Sequence, residues 1–446
     1  MFPPRRIAEI TGGRLLRERE CALTRVIHDS RLVEGGDLFL AIIGERTDGH
    51  AFLAHAFQRG ACGAIISDEG AVPNGAFNLI VVSDVIEALH SLAAAWRAGI
   101  DAVFVGITGT CGKTTTRSIL HHLLQERMNV HSSPGNYNTE IGLPLSLLGM
   151  PQSAEVGIFE LGASSPGEIV PLASLLSPSI GVVTLAGRGH LQGFGSVEEV
   201  ATEKWELLRT LSPDGKAIVN VDSPPLAALL EEHEGSVKTV GVGRGDLCGS
   251  IISEKGGLII ETDSPRLHLE TRLLGAHNAT NILLAAAAAL ELGLPPGEIE
   301  ARIKTFSPFV HRLNLIAAPF GYILDDSYNA NPESTRAALI ALANLDLPVQ
   351  HRAFIFGEML DLGKDSPRYH DEVLALAIEL GMSPIFPVGD LATAAAKRHA
   401  ASAPFVFCEK WDLACCVREH LPQDTALLVK GSFAVGLTRV VNQLAK

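Results

Sequence analysis

The stretch GITGTCGKTTT, Gly106 to Thr116, carries the densest chemistry in the chain. Gly109 and Gly112 let backbone N–H groups converge on phosphate oxygens, Lys113 supplies a point charge, and Thr114 can place a hydroxyl on Mg²⁺. Thr108, Thr110, Cys111 and Thr115 complete the loop. The strict G-x-x-x-x-G-K-[ST] spacing fails, because its first glycine would fall on Ile107. An ordinary Gly-rich turn is the competing reading, and the flanking segments decide against it.

Three further residues have types suited to metal or phosphate chemistry. Glu160, in GIFELGASSPGEI, closes a strand-like run where a carboxylate would face ligand; a metal site and a capped strand end are both open. His190 follows a glycine turn, and Lys204 lies in a helical pattern. Taken alone they read as a loop histidine, one of sixteen, and a solvated helix lysine. None of the eleven lysines sits in an Asn/Thr-Lys-x-Asp base-recognition element, which argues against a GTP switch.

The elements that must position these residues follow from apolar patterning. AVFVGITGT is a strand-like run leading directly into the loop, and TTTRSILHHLLQE has helical spacing, the context that a phosphate loop requires. Residues 1–84 hold the short runs DLFLAII, GAIIS and FNLIVVSD, which read as a small α/β unit. The run VIEALHSLAAAWRAGI is helical. AEVGIFELG, SIGVVTLAG and GKAIVNVD then predict a parallel, doubly wound core. After His311 to Asn314, YILDDSYN, RAFIFGEM, SPIFPVGD and TALLVKGS predict a third α/β domain.

Composition sets the outer bounds. The 446 residues exceed a single core and suggest about three domains. With 36 basic and 50 acidic residues the formal charge is −14, which disfavours a nucleic-acid partner. Seven scattered cysteines without C-x-x-C spacing suggest neither a disulfide frame nor a zinc site, so reduced thiols in a cytosol are expected. The N-terminus lacks the apolar core of a signal peptide, and NILLAAAAALELGL is too short for a membrane span. Cytoplasmic residence is the expectation.

Together these segments resemble the Mur ligase family, ATP-dependent enzymes that add amino acids to the peptidoglycan precursor. GITGTCGKTT is similar to the family loop G-x-T-G-T-x-G-K-T-T, in which Ile107 is ordinary. GNYNTEIGLPLSLL, ELGAS followed by GEI, H followed by FGS, and GAHNATNILLAAA resemble further family segments. DDSYNANPES and GEMLDLG look like the MurF type, which adds D-alanyl-D-alanine. DSRLVEGGDLFLAIIGERTDGHAF resembles a domain that grips a uridine-diphosphate sugar-peptide. DSPR occurs at Asp263 and Asp365, but neither reads as the Asx-Pro-Arg motif of the MurE type.

The resemblance implies a three-domain α/β fold: a UDP-substrate domain at 1–84, a central ATP-binding domain with a parallel sheet at 85–312, and a Rossmann-like domain at 313–446. It implies transfer of the ATP γ-phosphoryl group to the carboxylate of UDP-N-acetylmuramoyl-tripeptide, followed by attack of the D-Ala-D-Ala amine. Lys113, Glu160, His190, Lys204 and Asn138 would be catalytic. Thr114 and Glu160 would hold one Mg²⁺, His190 would help hold a second, and Lys204 would be carbamylated. Thr108 to Thr115, Asn281 near the adenine, Arg312 and Asp326 would contact ATP. Ser30, Arg31, Asn136, Asn138, Tyr328, Asn329 and Asn331 would contact the other substrates. A monomer is implied, with domain closure excluding water.

This chain departs from the family pattern at four places. Cys111 stands where Asn, Ser or Gly is usual, and His311 precedes Arg312 where the hinge reads Gly-Arg. TLAGRGH lacks an Asn, and KGSFAVGL lacks a second basic residue. Beside Lys113 at a helix N-terminus, the Cys111 thiol is expected to be acidified. A MurE-type or folylpolyglutamate-type ligase remains the nearest alternative, and a non-catalytic nucleotide-binding regulator is an alternative of a different class.

Overall fold

The computed structural model describes residues 1–72, 75, 77–232, 235–409 and 412–446. Among these residues the strands form three sheets, of five, nine and five strands. The chain divides into two compact units, each built from separate stretches. One comprises Met1–Gly106, Arg127–Gly162 and Glu168–Ser179, and the other Ile107–Glu126, Ala163–Gly167 and Ile180–Lys446.

In the first unit the strands Asp37–Leu40, Gly63–Ile66 and Asn78–Val81 run parallel side by side, with Arg25–Ile27 parallel on one edge. Arg14–Arg17 closes the other edge antiparallel to Asn78–Val81. Phe39, Ala64, Ile66 and Leu79 pack with Leu53 and Ala56 of the neighbouring helical turns. Helix Val85–Ala98 starts where Asp84 accepts hydrogen bonds from the backbone of Ile86 and Glu87. It buries Val85, Ala88, Leu89, Leu92 and Ala93, the spacing of one helical face. Farther along, Val130–Ser132 pairs parallel with Val156–Leu161.

In the second unit, Ile180–Val183, Lys216–Asn220, Val237–Val242 and Leu247–Ser253 are parallel neighbours. The expected parallel sheet then changes sense: Leu258–Asp263 and Arg266–Thr271 add antiparallel strands. Ser264 and Pro265 join these last two strands as a two-residue hairpin turn. RLHLET alternates buried and exposed residues as a one-sided strand should. The first DSPR lies in this hairpin turn, and the second leads into helix Ser366–Glu379.

The last sheet is ordered Asn314–Ala318, Gly321–Asp326, Thr425–Lys430, His351–Gly357, Ile385–Val388, parallel except for the first pair. The Ala-rich run forms helix His277–Glu291, with Ala285 to Ala289 all buried in protein. Among the described residues no helix is long and apolar enough to cross a membrane.

The cysteines correct the sequence expectation. Cys21 is bonded to Cys62, and Cys408 to Cys416, leaving Cys111, Cys248 and Cys415 as free thiols. Cys21 and Cys62 lie 41 residues apart in sequence yet have Cα atoms 6.1 Å apart, a proximity that spacing along the chain does not report.

Candidate active site

Strand Val103–Thr108 delivers the chain to the loop, and helix Lys113–Leu124 leaves it with Gly112 at its N-cap in the left-handed region. Two glycines are obligatory here for different neighbours. A Cβ on Gly109 (φ 145°) would lie 2.1 Å from Thr184 Oγ1, and one on Gly112 (φ 89°) would lie 2.3 Å from Asn281 Oδ1.

The loop is moored by residues from other elements. Thr110 N donates to Leu185 O at 2.7 Å, and Thr184 Oγ1 donates to the carbonyls of Cys111 (2.5 Å) and Thr108 (3.2 Å). Asn281 is buried behind the loop, accepting from Thr116 Oγ1 at 3.4 Å and donating to Asn278 Oδ1 at 2.9 Å. The structure thus places Asn281 against Gly112, where its amide shapes the loop. Lys113 Nζ donates to the Gly109 carbonyl, folding back over the loop from its own first turn. Thr115 follows on that turn, half-buried.

Residues just before the last sheet reach the same loop. Arg312 Nη2 donates to Thr114 Oγ1 at 3.2 Å, and its guanidinium lies 4.4 Å from the Tyr328 ring centroid. Its Nε is buried without a hydrogen-bond partner among the described residues. His311 occupies a left-handed backbone position (φ 66°), which explains why glycine would suit the site. Here a hydrogen bond holds the histidine: its Nδ1 lies 2.6 Å from Oδ2 of the fully buried Asp325.

The segment Asp325 to Asn331 lies beside them. Asp326 accepts from Lys430 Nζ and from Leu313 N, and Lys430 also donates to the Asn329 carbonyl at 3.0 Å. Tyr328 packs between Arg312 and Phe433, whose ring centroid is 5.8 Å away. Asn331 caps helix Pro332–Asn344 in a reciprocal pair with Ser334, and its Nδ2 donates to Cys111 Sγ at 2.9 Å.

That contact and the surrounding burial reverse the expectation for Cys111. Desolvation pushes its thiol up, and Glu333 adds to this, while the Asn331 hydrogen bond, Lys113 and Lys430 pull only partly the other way. Proximity to a helix N-terminus does not overcome the loss of water around the sulfur.

His190 sits in a left-handed conformation (φ 55°) before the short helix Leu191–Phe194, with Nδ1 3.9 Å from Asp361 Oδ2. Lys204 is not a solvated helix lysine. It is 2% exposed, donates to Ala163 O at 3.0 Å and lies 5.2 Å from the Phe194 ring centroid. Helix Val197–Arg209, capped by Ser196, holds it there.

The remaining expected residues lie in the other compact unit. Glu160 ends strand Val156–Leu161 and is 2% exposed. Asn136 is exposed in a turn and Asn138 is half-buried, with the Asn138 carbonyl accepting from Gly162 N at 2.7 Å. Ser30 is buried with Oγ 3.0 Å from His55 Nδ1, while Arg31 points outward and pairs with Asp29.

Thr184, Arg188, Glu333 and Lys430 were not among the residues expected from sequence. A threonine at a strand end and a lysine before Gly-Ser were visible signals; the partners of Arg188 and Glu333 were not.

Residues 23–98 match the model described as Mur ligase family, catalytic domain; 107–289 match the Mur ligase middle domain; 311–433 match the Mur ligase, glutamate ligase domain. A Bacillus subtilis (strain 168) protein named UDP-N-acetylmuramoyl-tripeptide--D-alanyl-D-alanine ligase is 32% identical, over 98% of this chain and 97% of its own. A crystal structure of MurF from Acinetobacter baumannii is similar with a TM-score of 0.89 at 28% identity, covering 100% of this chain and 98% of that one. The MurF ligase of Thermotoga maritima in complex with ADP is similar with a TM-score of 0.80 at 25% identity, covering 96% and 98%. A nucleotide-binding loop moored to the D-x-Y-N-A-N-P segment, within a fold matched from end to end, places the chain in the Mur ligase family, as a MurF-type ATP-dependent carbon–nitrogen ligase.

Proposed function

We propose that the chain joins the terminal carboxylate of UDP-N-acetylmuramoyl-tripeptide to the amine of D-alanyl-D-alanine at the expense of ATP, in the cytoplasm, as a step of peptidoglycan precursor synthesis. The observation that carries this reading is the contact of Asn331, in the D-x-Y-N-A-N-P segment, with Cys111 of the phosphate loop at 2.9 Å. It supports a nucleotide and an incoming amine sharing one site.

The carboxylate oxygen attacks the γ-phosphorus, ADP leaves, and an acyl phosphate forms. The dipeptide amine then attacks the acyl carbon, loses a proton, and phosphate departs with the C–O bonding pair. Negative charge gathers on phosphoryl oxygens in both steps. Lys113 would exchange its Gly109 carbonyl partner for a phosphate oxygen. Arg312, whose Nε lacks a partner among the described residues, would meet another. Asp326 would contact ATP, Tyr328, Asn329 and Asn331 would orient the dipeptide, and Asn136 and Asn138 the tripeptide end. Ser30 and Arg31 would contact the uridine nucleotide. This division of labour follows segments 1–84, 85–312 and 313–446.

Mg²⁺ would suit the donor types named for it: Thr114 has a hydroxyl and Glu160 a buried carboxylate, both hard oxygen donors proposed for one ion, with His190 proposed to help hold a second. Among the described residues no three His, Cys, Asp or Glu cluster into a cage. Mg²⁺ does not require one, since it takes one or two carboxylates together with substrate phosphates. When bound, it would neutralise developing phosphoryl charge. Lys204 as an ammonium is a donor and not a ligand; loss of one proton to give the amine, then addition of CO₂ with release of a second proton, would make it carboxylate-like. Activity restored by bicarbonate in a CO₂-depleted sample would support that modification, and no response would reject it.

The reading is tested by phosphate release with ATP, UDP-N-acetylmuramoyl-tripeptide and D-Ala-D-Ala, each omitted in turn. Release that is no greater with the dipeptide than with single amino acids would overturn it.

A further inference from the structure

The tripeptide Gly187-Arg188-Gly189 is wedged between the phosphate loop and two helices of the C-terminal domain. Arg188 Nε donates to Glu333 Oε1 at 2.8 Å, and its Nη1 to Glu372 Oε2 at 2.6 Å. The guanidinium lies 5.0 Å from the centroid of Tyr369. Its side chain and that of Glu333 are both more than two-thirds buried, at 29% and 27% exposure.

The flanking glycines permit the approach. A Cβ on Gly187 would lie 3.1 Å from the Glu333 carboxyl carbon, and one on Gly189 would lie 2.5 Å from Thr110 Cγ2. Glu333 begins the helix capped by Asn331, the residue that touches Cys111. One arginine therefore spans helix Pro332–Asn344, which follows the dipeptide segment, and helix Ser366–Glu379, and joins both to the strand end beside the nucleotide loop. The planar guanidinium presents donors to both carboxylates in a fixed fork, a geometry that the single ammonium of a lysine does not reproduce.

We propose that Arg188 is a positioning residue, a two-carboxylate clamp that keeps the C-terminal domain docked on the phosphate loop and so sets affinity for ATP and the dipeptide. The proposal rests on the ligase reading for the dipeptide, and on nucleotide binding alone for ATP. Ligands that require the docked arrangement bind more weakly in proportion to the loss of its population, whereas saturating ligand restores it. The clamp thus governs KM more than kcat.

The test uses the full chain. Arg188→Ala is expected to raise KM for D-Ala-D-Ala and for ATP roughly tenfold while kcat stays within about threefold, and KM for the UDP-tripeptide stays unchanged. Arg188→Lys should recover part of the loss. Glu372→Gln, a change at a half-exposed carboxylate, should give a smaller rise that disappears in the Arg188→Ala background, because both act through one contact. Raising salt should weaken wild-type ATP and dipeptide affinity and leave Arg188→Ala less affected. ADP affinity by calorimetry should fall with the same ranking. Unchanged ADP affinity and KM in Arg188→Ala, a loss of kcat alone, or additive effects of the two substitutions would overturn the clamp. A wild-type protein without dipeptide-dependent turnover would overturn the ligase reading instead, and the calorimetry would still decide the clamp.

Discussion

Arg312 donates from Nη2 to the Thr114 hydroxyl at 3.2 Å across a sequence separation of 198 residues. The residue preceding the last sheet is thereby tied to the first turn of the phosphate-loop helix. The same guanidinium lies 4.4 Å from the Tyr328 ring centroid, a cation–π contact that helps hold it in place.

Removing this tie should weaken nucleotide binding. A charge-assisted hydrogen bond contributes about 1.5–3 kcal/mol, so Arg312→Ala is expected to raise the ADP dissociation constant by roughly ten- to a hundredfold in calorimetry. Arg312→Lys should recover only part, because it restores charge without the planar guanidinium. An unchanged constant would show that Arg312 does not contribute to nucleotide binding.

Cys111 should react slowly. Its raised thiol pKa lowers the thiolate fraction at any given pH, so alkylation by iodoacetamide at pH 8 should be slower than for free cysteine. The rate should climb as pH passes the ordinary thiol value, and Asn331→Ala, which removes an amide that favours the thiolate, should slow it further. Peptide mapping by mass spectrometry reads the site. Rapid labelling at pH 7 would refute the desolvation account.

Asp325 depends on His311. The carboxylate is fully buried, with the histidine and Ser327 as its polar partners among the described residues. His311→Ala should destabilise the protein by about 1–3 kcal/mol in urea unfolding, since a buried acceptor loses its strongest donor. His311→Gly should be less harmful by about 1 kcal/mol, because glycine accepts the left-handed backbone. Adding Asp325→Asn to His311→Ala should recover part of the loss. Wild-type stability in His311→Ala would remove the compensation argued for this departure from Gly-Arg.

His370 predicts an acid-side loss of stability. It is fully buried and neutral, accepting from Met359 N at 2.9 Å through Nε2, with Nδ1 2.7 Å from Ser366 O. Burial lowers its pKa, so between the folded value and the unfolded value of about 6.5 the unfolded chain binds the extra proton. Its contribution is therefore full above about pH 6.5 and declines as pH falls below it. The melting temperature should drop between pH 7.5 and 5.5, and His370→Gln, less stable at pH 7.5, should show a shallower drop. Parallel pH profiles would assign the dependence to other groups.

Much of the fold was legible because local patterns report local structure. VIEALHSLAAAW shows its buried face by helical spacing, and the strand runs before the loop and in the last domain fall where the structure has them. The antiparallel strands Leu258–Asp263 and Arg266–Thr271 went unread, although RLHLET alternates plainly. The assumption of continuous parallel winding concealed them.

The sequence alone determined the phosphate loop, since glycines, lysine and threonine at fixed spacing act through their own backbone and side chains. It also determined the family, through motifs each contained within a short contiguous stretch of chain. Only the tertiary structure decided what lies behind and across that loop: Thr184 against Gly109, Asn281 against Gly112, Asn331 on Cys111, and Arg188 between Glu333 and Glu372. It also decided the direction of the Cys111 shift and the two cysteine pairings. Desolvation and side-chain contact depend on which distant segments exclude water from one another, and no spacing along a single chain encodes that directly.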